Sequence, residues 1–387
     1  MRRKICVVVT ARPSYSRIKT TLKAIKENPN LELQLVVAGS ALLDKYGKVS
    51  EIIKSDGFEI TSRVLNVIEG EDLISMAKTT GIGIIELSTV FDQLKPDVVV
   101  TIADRFETIA TAIAASYMNI PLAHIQGGEV TGSIDEKVRH SITKLSDLHF
   151  VSNSKAAERV LKLGEAEEKI FNCGCPSIDI AKEVYESPEL DYEPFVKYGG
   201  VGPGSKLDIS KGYIVVMQHP VTTEYKQSGG QILETLKAVE RVNMPTLWFW
   251  PNVDAGSDAV SKRIREFREI NKPENIHFFR NMDSEDFLRL LKNSKAIIGN
   301  SSVAIRECSF LGVPAVNIGN RQAGRERGNN VLDVDYGADK IEAAIFQQVS
   351  RKYHFDHDFL YGRGDAGLQI SHILENQELT CEKKLNY

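Results

Sequence analysis

The 387-residue chain has no CxxC pair among its five cysteines (Cys6, Cys173, Cys175, Cys308, Cys381), and the count is odd, so neither a disulfide framework nor a zinc site is indicated. The cysteines read as reduced packing residues. Charge of one sign is also lacking. Lys and Arg total 48 against 52 Asp and Glu, a net charge of -4, so no global field recruits nucleic acid or an anionic membrane. Any anion must be gripped by a local site. After Met1-Arg2-Arg3-Lys4 the apolar run is only Ile5–Val9, too short for a signal-peptide core or a bilayer span, which sets the expectation of a cytoplasmic protein. GxxxxGK[ST], HExxH, GxSxG and a GxGxxG following a strand are all absent, which argues against a P-loop ATPase, a zincin, an α/β-hydrolase and a standard Rossmann dehydrogenase. Apolar residues at 42% and charged residues at 26% exclude a disordered scaffold.

What is present is alternation. Short β-branched apolar runs alternate with longer amphipathic stretches, the signature of βαβ units and parallel sheets, and at roughly 100–200 residues per domain the length suits two domains. Strands are expected at Ile5–Thr10, Leu31–Ala38, Asp97–Ile102, Pro121–Ile125, His149–Ser152 and Ile170–Cys173, with helices near 15–27, 71–94, 106–118, 135–145 and 154–163. Turn formers crowd 187–211, read as the connection. A second set follows, with strands at Ile214–Gln218, Thr246–Trp250, Ile276–Phe279, Ala296–Gly299 and Ala315–Ile318, and helices near 229–242, 257–271, 283–293, 301–311 and 338–350. The expected domains are 1–186 and 212–365, both doubly wound α/β, with function in the loops after strands and a cleft facing the carboxyl ends of both sheets. Trp248 and Trp250 alternate on a strand and read as core.

The strand-end loops hold the chemistry-bearing residues. Arg12, before Pro13, either lies on the surface or joins a helix N-terminus in holding an anion. Asp104 either caps the next helix or, beside Arg105, supplies a tunable carboxylate. The densest stretch runs from His124-Ile125-Gln126-Gly127-Gly128-Glu129 to Asp135, Arg139 and His140. Its residue types suit acid–base work, and its spacing matches no familiar metal-ligand pattern. His219, before Pro220, is either a satisfied buried histidine or a cleft residue. Gly299-Asn300-Ser301-Ser302, running on to Glu307, places hydroxyls at an expected helix start, suited to a diphosphate, with Glu307 suited to ribose hydroxyls.

These stretches, together with Thr10-Ala11-Arg12-Pro13, Gln218 to Thr223, Pro251-Asn252-Val253-Asp254-Ala255-Gly256 and Asn320-Arg321-Gln322, resemble the UDP-N-acetylglucosamine 2-epimerases over nearly the whole chain. His219 to Thr223 and Asn252 to Gly256 are similar to the hydrolysing, sialic-acid-type branch. The resemblance implies a GT-B fold, with a final helix within about 366–387 crossing back onto the first domain, and a homodimer or homotetramer. It implies conversion of UDP-N-acetylglucosamine and water to UDP and N-acetylmannosamine through a 2-acetamidoglucal, with no cofactor and no metal. Residue by residue, it implies that Ser301, Ser302 and Glu307, with Gly299, hold diphosphate and ribose and that Arg12 and Arg321 neutralise phosphate. Asp104, Asp135 and His219 match catalytic positions, with Glu129, Arg105 and Arg139 beside them. One departure stands out: the residue before Gly-Gly is usually Glu in the sialic-acid branch, and here it is Gln126, which cannot exchange a proton at neutral pH. Either Glu129 or Asp135 takes over, or the sugar differs, as in epimerases of a 2,4-diacetamido-trideoxy sugar. A nonhydrolysing epimerase, a GT-B glycosyltransferase and an inactive nucleotide-sugar sensor are the competing readings.

Overall fold

The computed structural model describes residues 2–43, 49–68, 73–130, 134–251 and 256–386. The Asn252-Val253-Asp254-Ala255 stretch of the resemblance lies outside them. The described chain divides into two compact units, one drawn from Met1–Val130, Ile134–Asp179 and Tyr361–Tyr387, the other from Ile180–Leu360.

The first unit is built on seven strands: β1 (Arg3–Val9), β2 (Leu31–Ala38), β3 (Ser62–Val64), β4 (Val98–Ile102), β5 (Leu122–Ile125), β6 (Leu148–Val151) and β7 (Ile170–Asn172). They pair in parallel in the order β3-β2-β1-β4-β5-β6-β7. Parallel strands covered on both faces should be apolar throughout, and every residue of β4 is buried. The period of two then divides the core. Ile5, Val7 and Val9 of β1 join one cluster with Ile18, Leu22 and Ile25 of α1 (Arg12–Glu27), while Cys6 and Val8 join another. That second cluster draws on α3 (Leu73–Leu94), α4 (Thr108–Tyr117) and α5 (Ile134–Leu145). Three further helices, α2 (Val49–Ser55), α6 (Ser154–Lys162) and α7 (Ser177–Glu186), complete the first half of the chain.

The last helix, α14 (Ala366–Asn376), adds Ile370 and Leu374 to the α1 side of this sheet. Its approach is close enough that a Cβ on Gly367 would lie 2.8 Å from the Thr20 carbonyl carbon. The Asp179 carboxylate caps it, accepting from the N–H groups of Ala366 (2.9 Å) and Gly367 (2.8 Å).

The second unit carries β8 (Ile214–Met217), β9 (Thr246–Phe249), β10 (Ile276–Phe279), β11 (Ala296–Gly299), β12 (Ala315–Ile318) and β13 (Val331–Val334), parallel in the order β10-β9-β8-β11-β12-β13. Trp248 is fully buried in its core beside α9 (Ser228–Val242), α10 (Ser257–Asn271) and α13 (Ala338–Val349), with Trp250 packed against it, so both are core residues as expected. The Pro- and Gly-rich stretch before β8 is folded against this unit. It contains α8 (Pro194–Tyr198), and Val201 exchanges both main-chain hydrogen bonds with Phe278, covering edge strand β10. Its glycines are needed for that approach: a Cβ on Gly200 would lie 2.5 Å from the Phe278 carbonyl oxygen. Lys197 and Tyr198 then bind the Asp286 carboxylate on α11 (Ser284–Lys292), at 2.6 and 2.5 Å.

Two edge strands, β3 and β13, escaped the sequence pattern: β3 has three residues and β13 has none fully buried. The helix expected at 301–311 is a single 3-10 turn, Ser302–Ala304, followed by the short α12 (Glu307–Leu311). Asn330 explains part of the break, since its Nδ2 donates to the Ala304 carbonyl (3.1 Å) that a continuous helix would use.

The C-terminal tail is tied down by charge. Lys383 Nζ donates to Glu165 (2.6 Å) and to the carbonyls of Thr143 (3.3 Å) and Ser146 at the end of α5. Glu165 also receives Lys144 (2.6 Å) and His149 (3.0 Å). Burial alone would raise its carboxyl, but these donors outweigh that and bring it from the ordinary 4.5 down to about 2. A depressed carboxyl contributes stability above its unfolded value and loses it as pH falls toward the folded one. Replacing Lys383 by Met is therefore expected to lower unfolding free energy by about 1.5–3 kcal/mol, the scale of a hydrogen bond to a charged group, in urea melts at pH 7. The gap between variant and wild type should shrink as pH drops from 4.5 toward 2.

Candidate active site

Both sheets reverse strand order once, between β1 and β4 and between β8 and β11. Loops leaving the two strands at such a point diverge, and doubly wound sheets bind ligands there, outside the carboxyl ends. The singled-out residues follow these strands or the next ones along.

In the first unit, α1 begins at Arg12, with Pro13 in its first turn. Its N-cap Ala11 is extended and gives no side-chain cap, and no acidic residue occupies the first turn. Arg12 is half-buried. Beyond β4, Ala103 adopts φ +66°, a left-handed conformation that Ala rarely takes, and Asp104 follows, buried. The half-buried Arg105 turns its Nε to Glu107 Oε1 at 2.8 Å. Beyond β5, Gln126 repeats the left-handed backbone at φ +67° and is fully buried. Gly128, at φ +74°, admits no side chain, since a Cβ would lie 2.3 Å from the Ala156 carbonyl oxygen. Glu129 is fully buried and accepts from Ser152 Oγ at 2.6 Å. Asp135 sits half-buried in the first turn of α5.

Arg139, one turn further along α5 and only 1% exposed, joins two of these loops. One guanidinium nitrogen donates to the Gln126 carbonyl (2.6 Å) and the other to Asp104 Oδ2. The Gln126 side chain turns elsewhere: Nε2 donates to Cys175 Sγ at 2.9 Å, and Cys175 Sγ in turn lies 3.0 Å from Ser177 Oγ. Its buried Oε1 has no partner.

In the second unit, Gly299 ends β11 at φ +132° because β8 passes too close for a side chain, with a Cβ 2.1 Å from the Met217 carbonyl oxygen. Asn300, fully buried, then reaches across to β8's loop. Its Oδ1 accepts from the His219 N–H and its Nδ2 donates to the His219 carbonyl, both at 2.8 Å. Its own carbonyl accepts from Arg321 (3.2 Å) and from Gln322 Nε2 (2.9 Å). Ser301 caps the 3-10 turn, accepting from the Val303 N–H at 3.4 Å, and Ser302 Oγ accepts from the buried Arg306 at 3.0 Å. Glu307 is buried at the start of α12, and its Oε2 has no hydrogen-bond partner. The expected cradle thus rests on a tight turn with hydroxyls rather than on the end of a long helix.

Within each unit the structure therefore gathers the predicted residues in groups. Asp104, Gln126 and Arg139 meet in the first, and His219, Ser301 and Arg321 are tied to Asn300 or adjoin it in the second. Asn300 was legible only as part of the Gly299–Ser302 stretch, without a role. Among the described residues no helix is long and apolar enough to cross a membrane.

Two parallel, doubly wound units with loops of this kind define the GT-B class, and solved structures agree. The UDP-GlcNAc 2-epimerase of Neisseria meningitidis, bound to UDP-GlcNAc, superposes with a TM-score of 0.79 at 17% identity, covering 96% of this chain and 99% of that one. The Methanocaldococcus jannaschii enzyme, in complex with UDP-GlcNAc and UDP, gives 0.78 at 20% identity with the same coverage. These likenesses establish the fold. The sequence goes further: the UDP-N-acetylglucosamine 2-epimerase family model matches residues 23–375, and the chain belongs to that family. Relatives include the UDP-N,N'-diacetylbacillosamine 2-epimerase (hydrolyzing) of Legionella pneumophila, 32% identical over 97% of this chain and 96% of that protein. The GDP/UDP-N,N'-diacetylbacillosamine 2-epimerase (hydrolyzing) of Campylobacter jejuni is 34% identical over 90% and 89%. A UDP-N-acetylglucosamine 2-epimerase of Neisseria meningitidis is 31% identical over 97% and 94%.

Replacing Asn300 by Ala takes away the side-chain partners of His219's main-chain N–H and C=O. At about 1–3 kcal/mol for each of the two buried groups left unsatisfied, unfolding free energy should fall by about 2–6 kcal/mol in denaturant titration.

Proposed function

We propose that the protein is a hydrolysing 2-epimerase of a UDP-2-acetamido sugar, and that the sugar is the 2,4-diacetamido-2,4,6-trideoxyglucose (diacetylbacillosamine) type. The supporting observation is 32–34% identity, over nine-tenths of the chain or more, to two relatives named as hydrolysing diacetylbacillosamine epimerases. Gln126, where the sialic-acid branch usually has Glu, fits a substrate other than UDP-N-acetylglucosamine. UDP-N-acetylglucosamine itself is the second reading, favoured by the Neisseria meningitidis relative.

In this reaction a base removes the proton at C2 and the electron pair forms the C1–C2 double bond as UDP leaves C1 from the opposite face. Water then adds at C1 while C2 takes a proton on its other face, giving UDP and the free 2-epimer. Asp104 is the leading base, because Arg139 fixes the direction of its carboxylate. Asp135, less enclosed at the start of α5, and His219, held by its backbone on Asn300, are the remaining proton-transfer groups. Glu129, fully enclosed under Ser152, is the least accessible carboxylate of the set. Ser301, Ser302, Arg321 and Arg12 take the diphosphate, Glu307 the ribose, and Arg105 stands beside the sugar.

The experiment is turnover of both UDP-sugars in heavy water. Free UDP and a C2-deuterated 2-epimer are expected, with higher kcat/KM for the diacetamido sugar. A UDP-linked epimer without free UDP would make the enzyme nonhydrolysing, turnover only with an added acceptor would make it a transferase, and binding without exchange would make it a sensor. Ser302→Ala should weaken UDP binding by about 1 kcal/mol, roughly fivefold by calorimetry, and leave C2 exchange at saturation largely intact.

A further inference from the structure

His124 takes no part in the reaction as written, yet it is fully buried between the two loops that Arg139 joins. Its Nε2 lies 2.9 Å from the Ala103 carbonyl oxygen and its Nδ1 3.2 Å from Thr143 Oγ1. A carbonyl only accepts, so Nε2 carries the proton and Nδ1 is the bare nitrogen; the one hydrogen of the Thr143 hydroxyl is shared between Nδ1 and the Arg139 carbonyl, 3.0 Å away. The Ala103 carbonyl therefore settles the tautomer.

We infer that His124 is a positioning residue: by holding the Ala103 peptide in its left-handed conformation it aims the Asp104 carboxylate at Arg139. The inference rests on the proposed role of Asp104 as base. Three observations carry it. Ala103 stands at φ +66°, which costs a residue bearing a Cβ about 1–3 kcal/mol and persists only where the surroundings impose it. The His124 hydrogen bond falls on that same residue, next in chain to Asp104. Thr143, which orients the ring, lies one turn after Arg139 on α5, so a single helix holds the Ala103-Asp104 dipeptide from both ends. Burial also drives the imidazole down to about 3, against the Ala103 hydrogen bond and among Arg139, His149 and Asp104, so the ring is neutral and its donor is constant at working pH.

The test contrasts two neutral replacements of similar polarity. In His124→Gln the terminal amide reaches about as far as Nε2 and can still donate to Ala103, whereas in His124→Asn it reaches only the Nδ1 position beside Thr143. The Asn variant is expected to lose about 100-fold in kcat for UDP release and C2 exchange, the cost of a reacting group misplaced by about 1 Å, with KM and UDP affinity within threefold of wild type. The Gln variant should stay within about fivefold of wild type. Equal losses in both variants that track equal losses of melting temperature would make His124 a packing residue and overturn the inference, as would wild-type kcat in both. If the wild-type chain turns over neither sugar, the proposed reaction fails and crystal structures of the variants decide this inference separately. Ala103 kept at positive φ with the Asp104–Arg139 pair intact in Gln but not in Asn supports it, and an unchanged loop in both overturns it.

Discussion

The Arg139 guanidinium is the contact on which the first unit's loops depend. A buried cation is costly unless its charge and its N–H groups are answered; here Asp104 answers the charge and the Gln126 carbonyl takes a second donor, while the buried Nε makes no hydrogen bond. The same bonds hold two left-handed turns, at Ala103 and Gln126, on either side of one side chain. Their geometry is therefore set by where α5 lies. Val138 and Ile142 sink the helix into the core against β4's neighbours, and its far end is fastened by Lys383 from the C-terminal tail. Residues nearly 280 positions apart in sequence, Asp104 and Lys383, are thus mechanically linked through one helix.

The second unit meets the same topological requirement with a neutral side chain as the bridge. Its β8 and β11 loops also part at a reversal of strand order, and Asn300 bridges them by presenting a side-chain amide to the main chain of His219 as a neighbouring strand would. A neutral bridge of this kind avoids the desolvation cost of a charged one, and Arg321, half-exposed, donates to the Asn300 carbonyl. In the first unit, by contrast, Arg139 is committed to structure and it is Arg12 and Arg105 that stay half-exposed.

Strand-by-strand apolar runs were legible because parallel strands covered on both faces are buried throughout: β2, β11 and β12 begin and end where the pattern places them, and so does β10, an edge strand whose four residues are all buried. Of the four edge strands, β7 and β10 were legible and two were not: Ser62–Val64 is too short and too polar to register, and Val331–Val334 is covered on one face only in part. The stretch after Gly299 read as one helix because its apolar spacing allows it, and the tertiary bond from Asn330 to Ala304 interrupts it. The loops that carry chemistry were recognisable by residue type, since strand-end glycines and carboxylates are local features. Their partners were not. Nothing in spacing alone says that Arg139 meets Asp104, or that Asn300 meets His219, because each pairing joins elements adjacent in space and separated in sequence, a strand-end loop with helix α5 in one case and two strand-end loops in the other.

Gln126 follows from the same electrostatics. Its carbonyl shares Arg139 with Asp104, so a carboxylate side chain on this residue would add a further buried negative charge close to the Asp104–Arg139 pair. Like charges enclosed together cannot both ionise cheaply, and one of the two carboxyls would be driven toward its protonated form. The amide removes that competition. It also supplies the N–H that Cys175 accepts, a bond a carboxylate could not make, and so ties the loop after β5 to the Cys175–Ser177 turn. In a site arranged this way Asp104 has no second carboxylate on residue 126 competing for Arg139, and the carboxylates nearest in sequence are Glu129, enclosed on the same loop, and Asp135 in the first turn of α5.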